Sequence, residues 1–206
     1  MQPDIRAILQ GDYGVSRETL ERLAIYETLL RERGKTLSLV GRSTLDDVWH
    51  RHFLDSAQLW PLLKPDAPLL DMGTGAGFPG MVLAIMGARN IHLSDNNQLK
   101  AAFLSEVAAA TGTTVTIHNC KVEALPALEI DVATARALTD LGRLLALGER
   151  FFLKGAVGLF LKGAKANEEV AEARRHWQFS TEIIPSRTSD QSSILRLAGI
   201  KRHKVA

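Results

Sequence analysis

The chain has a single cysteine, Cys120. It can therefore form no internal disulfide and no cysteine-rich zinc site, and it suits a reducing compartment. No apolar run approaches the roughly 18 residues that a membrane span requires. The opening Met-Gln-Pro-Asp-Ile-Arg lacks a basic segment followed by an apolar one, so no secretory signal is read and the cytoplasm is the expected location. Strong charge of either sign is missing too. The 25 Lys+Arg residues are set against 23 Asp+Glu, for a net +2, which is not the footprint of a tight, free-standing nucleic-acid binder. A locally cationic tail, Lys201-Arg202-His203-Lys204, reads either as a solvated end or as an RNA contact. His50 and His52 have no third ligand nearby in sequence, so no metal site is expected. With no repeat, low-complexity tract or long linker, 206 residues make one domain.

What the chain does have is the stretch Leu69-Leu70-Asp71-Met72-Gly73-Thr74-Gly75-Ala76-Gly77-Phe78-Pro79-Gly80. A buried strand ends in a carboxylate, four glycines turn the chain, and Pro79 opens an apolar helix from Met81 to Met86. The amides of such a corner are expected to point at a ligand. The pattern Gly75-x-x-x-x-Gly80 is followed by Met81 rather than Lys-Ser/Thr, which removes the P-loop reading. Gly75-x-Gly77-x-x-Gly80 fits the dinucleotide fingerprint, with Asp95 20 residues after Gly75. Against a dinucleotide stands Asp71, which would repel a pyrophosphate and suits an ammonium group. S-adenosylmethionine carries an ammonium, a ribose and an adenine, and no phosphate.

Along the chain, Ser16 reads as the cap of a helix to about Arg33, which Gly34 ends. Thr44, Asp46 and Asp47 start a second helix that Pro61 stops. These helices, residues 1–65, are expected to cap the strand ends of an α/β core over 66–206. In that core, strands at Leu69–Met72, Asn90–Ser94, Thr113–His118, Asp131–Thr134 and Ala156–Leu161 alternate with helices at Pro79–Gly87, Leu99–Thr111, Leu138–Phe152 and Lys165–Trp177. An antiparallel pair, Phe179–Ile184 and Ser193–Ala198, closes the chain. Repeated βα units imply a mostly parallel, Rossmann-like sheet with its ligand outside the carboxyl ends of the strands.

The residues just after each strand are therefore the candidates. Asp95 suits both ribose hydroxyls, or else caps the next helix. Val122 and Glu123 can enclose an adenine, although Glu123 could equally cap the turn before Pro126. Cys120 reads as a small pocket-lining residue. Arg136 follows a buried strand, where packing does not explain it, and suits a carboxylate, a phosphate or a base edge. Lys162 ends the fifth strand. His52 and Asp55 share a helix face, as substrate-handling groups or simply as a solvated face.

Two absences at the fourth strand bear on chemistry. The Asn/Asp-Pro-Pro-aromatic turn of exocyclic-amine methylation is replaced by Thr134-Ala135-Arg136-Ala137. Cys120 is misplaced to be the nucleophile of pyrimidine carbon-5 methylation. A ring nitrogen with an in-plane lone pair, such as guanine N7, needs neither device. It requires positioning, and a carboxylate such as Asp55 to stabilise the positive charge growing on the base.

The residues Asp71 to Gly80, His52-Phe53-Leu54-Asp55-Ser56, Lys100 with Phe103-Leu104, and Ala135-Arg136-Ala137 together resemble the bacterial small-subunit ribosomal RNA guanine-N7 methyltransferase family, also called glucose-inhibited division protein B. The resemblance runs from about residue 20 to the C-terminus. It implies a class I S-adenosylmethionine-dependent fold, with Gly73, Phe78, Val122, Glu123 and Arg136 at the cofactor beside Asp71, Gly75 and Asp95. It also implies a guanine of 16S rRNA in the 30S subunit as substrate. Lys162, Lys201 and Arg202 are the candidate RNA contacts, and a monomer is expected. One departure lies in the cap, where Arg33-Gly34-Lys35 and Ser38-Leu39 stand in place of the family's Trp-Asn-Lys and Asn-Leu. A small-molecule or protein acceptor on the same fold, and a non-catalytic binding module, are the rival readings.

Overall fold

The computed structural model describes residues 4–203. Helix α1 (Ile5–Tyr13) starts at Asp4, whose carboxylate accepts the amides of Arg6 and Ala7. Helix α2 (Arg17–Arg33) starts at Ser16, whose hydroxyl accepts the Thr19 amide, and stops at Gly34. The expected second helix is instead a series of short turns. A 3₁₀ segment, Arg42–Asp47, leads into a π turn, Trp49–Leu54, then a single α turn, α3 (Asp55–Ala57), and a 3₁₀ turn, Trp60–Leu62. A π turn widens the helix by one residue and is common where side chains must be re-aimed. Here it carries His52.

The core follows as β1 (Leu69–Met72), α4 (Gly80–Met86), β2 (Ile91–Ser94), α5 (Gln98–Thr111), β3 (Thr116–His118), β4 (Val132–Arg136), α6 (Leu141–Leu147), α7 (Glu149–Phe152), β5 (Val157–Lys162), α8 (Ala166–Ala173), β6 (Trp177–Pro185) and β7 (Ser193–Arg202). The strands form one sheet in the order β3-β2-β1-β4-β5-β7-β6. Only β7 runs against the rest, pairing antiparallel with both β5 and β6. Strand β1 is buried at all four positions, as a central parallel strand covered by helices on both faces must be.

Two apolar clusters cover the two faces of the sheet. One joins Leu83, Leu93 and Leu104 to Leu23, Leu30 and Phe53 of the N-terminal helices. The other joins Leu70 and Phe160 to Phe151 and Trp177. The N-terminal helices therefore lie largely against α4 and α5, while residues from 39 to 55 line the cavity at the strand ends. At the other side, Gly148 splits the expected helix over 138–152. A Cβ there would stand 2.5 Å from Phe152 Cε2 and 3.4 Å from Met72 Sδ, so the chain breaks to let the backbone approach.

The reversal of β7 decides where the tail goes. Ser193 pairs with Lys162 at the carboxyl end of β5, and the strand then runs back past Gly158, leaving Lys201 and Arg202 beside Trp177 and Gln178. The tail is at the opposite edge of the sheet from the strand ends that bind ligands. Lys204 lies outside the described residues.

Candidate cofactor and substrate site

The glycine loop between β1 and α4 is held from within. The Thr74 amide donates to Ser94 O, that of Gly75 to Asp95 Oδ2 (3.0 Å), and those of Gly77 and Phe78 to Thr74 O. The Gly80 amide donates to Asp71 Oδ2 at 2.9 Å. The expectation that the loop's amides face a ligand is therefore corrected at these five positions: they are spent inside the protein. Those five amides cannot cradle a phosphate, which fits S-adenosylmethionine better than a dinucleotide. Gly75 adopts φ +61, and a Cβ on it would meet nothing closer than Gly73 O at 4.0 Å, so its free face borders open cavity. Gly73, at φ +63, is crossed by Leu138, whose Cδ1 would be 2.5 Å from an added Cβ. The Phe78–Pro79 bond is cis, and Pro79 stands just before the first helical residue, Gly80.

Asp71 is likewise corrected. It is fully buried and does not line the cavity. Its Oδ2 also accepts the Thr74 hydroxyl (2.5 Å), and its Oδ1 accepts that of Thr134 (2.9 Å). Burial pushes its carboxyl up to about 6, opposed by these hydrogen bonds and by the Arg136 charge. Asp71 ties the end of β1 to the start of α4 and to β4, and shapes the loop without reaching an ammonium group.

Two adjoining cavities open at the carboxyl ends of the strands. The smaller, about 380 Å³, is lined by Ser94, Asp95, Cys120, Val122 and Glu123, among others. The larger, about 1110 Å³, takes in Gly73, Gly75, Phe78, His52, Asp55 and Arg136. Asp95, Gly73 and Leu138 border both. The predicted adenine residues Val122 and Glu123, with Cys120, are thus together. Asp95 stands at the junction, where a ribose would link a base on one side to an amino-acid tail on the other.

At the inner end of the larger cavity, four predicted residues converge. Arg136 Nη1 donates to Asp55 Oδ2 (3.2 Å) and to the Arg51 carbonyl (3.0 Å), while Nη2 donates to His52 Nδ1 (2.8 Å). The guanidinium also lies over Phe78, with Cζ 4.8 Å from the ring centroid, and His52 stacks on the same ring at 4.6 Å. Burial, with the charges of Arg136 and Arg51, lowers the His52 imidazole to about 3, so it is neutral at physiological pH. Arg136 can only donate, which makes Nδ1 the acceptor and places the proton on Nε2. Nε2–H then donates to Thr44 Oγ1 (2.9 Å), and the Thr44 hydroxyl donates to Gly41 O (2.7 Å). His52 is a neutral strut between Arg136 and the segment 39–44.

The three cations expected at the RNA differ in their surroundings: Lys162 lines the larger cavity, whereas Lys201 and Arg202 do not. Lys162 Nζ is 2.7 Å from Glu169 Oε2 and donates to Thr139 O at 2.6 Å, with its side chain only 8% exposed. It fastens α8 to the turn before α6. Arg202 is paired with Glu149 and stacked on Trp177, and Lys201 adjoins it, at the far edge of the sheet. Sequence reasoning also missed partners that act across long separations. Tyr26 of α2 donates its hydroxyl to Ala76 O in the glycine loop and stacks on Phe78 at 5.4 Å. Thr188, in the turn between β6 and β7, donates to Asp55 Oδ1 at 2.8 Å. Its only sequence signal was the run of hydroxyl residues from 186 to 193.

A sheet of this order, with β7 reversed between β5 and β6 and a carboxylate after β2 beside the glycine loop, is the class I S-adenosylmethionine-dependent methyltransferase fold. Solved structures share the fold. A magnesium protoporphyrin IX methyltransferase from Synechocystis with bound SAM aligns over 96% of this chain and 98% of that one, at TM-score 0.56 and 16% identity. A ribosomal protein L11 methylase from Lactobacillus delbrueckii aligns over 79% and 80%, at TM-score 0.53 and 16% identity. The family model of rRNA small subunit methyltransferase G matches residues 19–194. Proteins named ribosomal RNA small subunit methyltransferase G are similar over nearly the whole length. That of Rhodospirillum centenum is 50% identical over 96% of this chain and 93% of its own, and that of Rhodospirillum rubrum 48% identical over 93% and 96%. The chain belongs to the rRNA small subunit methyltransferase G family.

Proposed function

We propose that this enzyme transfers a methyl group from S-adenosylmethionine to N7 of a guanine in 16S rRNA, within the 30S subunit. In this reading the chain works as a single domain and a monomer in the cytoplasm, residues 1–65 serving as a helical cap. Val122 and Glu123 enclose the adenine, Asp95 takes the ribose, and Gly73, Gly75 and Phe78 line the remainder, with Asp71 acting through the loop it shapes. The relatives' name supports an rRNA acceptor.

The observation that carries the choice of atom is the end of β4. The strand delivers Arg136 to the cavity, and the two nearest candidate bases among the described residues, His52 Nδ1 and Asp55 Oδ2, are both engaged by Arg136. An in-plane nitrogen asks for no such group. S-adenosylmethionine supplies a sulfonium methyl, which the N7 lone pair takes while the S–C electrons return to sulfur. The protein's part is alignment and charge compensation. Phe78 and His52 offer a stacked aromatic floor, and the Asp55 carboxylate, fixed by Arg136 and Thr188, opposes the charge that grows on the base.

The test supplies labelled donor to 30S subunits, free 16S rRNA and an unrelated RNA, from a strain without the gene, and identifies the labelled nucleoside by mass spectrometry. 7-Methylguanosine in small-subunit material alone is the expected result. Donor binding without transfer to any RNA would overturn the acceptor and turn attention to proteins or small molecules.

A further inference from the structure

The cofactor residues occupy one side of the larger cavity. Facing them is the turn between β6 and β7, which contributes Ser186, Thr188, Ser189, Gln191, Ser192 and Ser193. Because β7 alone is reversed, this turn arrives at the same edge of the sheet as the glycine loop. Its two charged residues are absent from the wall. Asp190 is exposed, and Arg187 turns away to Asp12 (2.5 Å) and to the Tyr13 hydroxyl (3.3 Å). Its backbone is fastened by the Arg187 amide to Gln58 Oε1 (2.6 Å) and by the Ser186 amide to Ser192 O (3.0 Å). The side chains of Gln191, Ser192 and Ser193 make no hydrogen bond among the described residues.

The turn presents neutral hydroxyl and amide groups, whereas tight phosphate binding also draws on cations. Arg51 and Lys100, elsewhere on the cavity's lining, supply those. Groups that both donate and accept suit the edge of a base, which presents both. We infer that this turn is the recognition wall for the acceptor base: Gln191, Ser192 and Ser193 hydrogen-bond the Watson–Crick edge of a guanine extruded into the cavity. Thr188, from the same turn, fixes Asp55. Extrusion exposes that edge, which would otherwise be paired or stacked. The inference rests on the rRNA reading above and adds to it the element that selects the base.

The experiment compares the wild-type chain with the triple variant Gln191→Ala, Ser192→Ala, Ser193→Ala, and with a Ser192→Thr, Ser193→Thr variant that keeps both hydroxyls. Each is assayed on 30S subunits from a strain lacking the gene, with donor affinity measured by calorimetry. The triple variant is expected to lose about tenfold or more in kcat/KM for the subunit while donor Kd stays within about twofold, because a site built of polar partners discriminates through them. The threonine variant should recover most of that loss. A kcat/KM within about twofold of wild type, a parallel loss of donor affinity, or no recovery with threonine would overturn the inference. Failure of the wild-type chain to methylate any RNA is a separate result, which would remove the rRNA reading and this inference with it.

Discussion

Tyr26 of the N-terminal helix donates its hydroxyl to the carbonyl of Ala76, fifty residues away in the glycine loop. The ring is fully buried, stacked on Phe78 and 6.2 Å from Phe103. Burial holds its hydroxyl far above the usual range, so it stays a donor at any working pH. The N-terminal segment therefore helps fix the floor of the cofactor site.

Tyr26→Phe leaves the ring in place and removes the one donor, leaving the Ala76 carbonyl short of a partner. A loss of about 1–2 kcal/mol is expected in urea unfolding, with donor affinity weakened severalfold. An unchanged unfolding midpoint would mean that the carbonyl finds another donor.

Asp55→Asn keeps the shape of the side chain but removes the charge that pairs with Arg136 and that the proposed reaction sets beside the acceptor. Turnover should fall by about tenfold or more while donor Kd changes little, since electrostatic support acts on the transition state. Single-turnover rates and calorimetry separate the two. An equal loss of donor binding would show Asp55 to be part of the donor site instead.

Asp71 gives a pH signature. Its folded carboxyl sits at about 6, above its ordinary 3.8, so the folded state binds its proton more tightly than the unfolded one. The associated stability is fully present below about pH 4 and is lost as pH rises through 6. Relative to Asp71→Asn, the wild-type chain should therefore gain stability as the buffer is lowered from pH 7 to pH 5. The gain is bounded at roughly 3 kcal/mol by the size of the shift. A constant difference between the two proteins across that range would count against a raised value.

His52 gives the opposite sign. Its folded value, about 3, lies below its ordinary 6.5, so its contribution to stability is present above about pH 6.5 and declines as pH falls toward 3. Because it is neutral throughout the working range, kcat should show no limb near the ordinary histidine value that His52→Gln removes. Such a limb in the wild-type profile, absent from His52→Gln, would make His52 a proton carrier rather than a strut.

Lys162→Met should behave as a packing lesion. It leaves Glu169 with the Leu141 amide alone and the Thr139 carbonyl without its donor, and is expected to cost about 2 kcal/mol of stability. The salt dependence of activity on subunits should not change. Lys201→Ala, at the remote edge of the sheet, should leave kcat/KM on 30S subunits within about twofold. A shallower salt dependence in either variant would return that residue to the RNA interface.

Where a segment's fate was set by its own residues, it was legible. Leu69–Met72 forms β1 over the expected span, because a short apolar run between Pro68 and Gly73 leaves no other choice. Ser16 caps α2 through its own side chain. The misreadings all depend on distant partners. Alternation and spacing tell which face a residue takes but not how deep it lies, so Asp71 read as a ligand contact. Of its partners, Thr74 and Gly80 are local, but Thr134 is 63 residues on. The pairing of Lys162 with Glu169 was likewise not visible in the sequence. Strand β6 begins at Trp177, two residues before its apparent start, since a register shift between Gln178 and Ser180 breaks the alternation that would have revealed it. The tail's remoteness follows from the direction of β7, which no local pattern records.

The inward-turned amides of the glycine loop have a consequence for selectivity in a mixed solution. ATP and the nicotinamide dinucleotides share the adenosine half of S-adenosylmethionine and could compete for the slot between Asp95 and Val122. Each would bring its phosphates up to a loop whose amides are engaged at 74, 75, 77, 78 and 80, and toward the carboxylate of Asp95. On the proposed placement of the donor, the loop would therefore disfavour its more highly charged look-alikes.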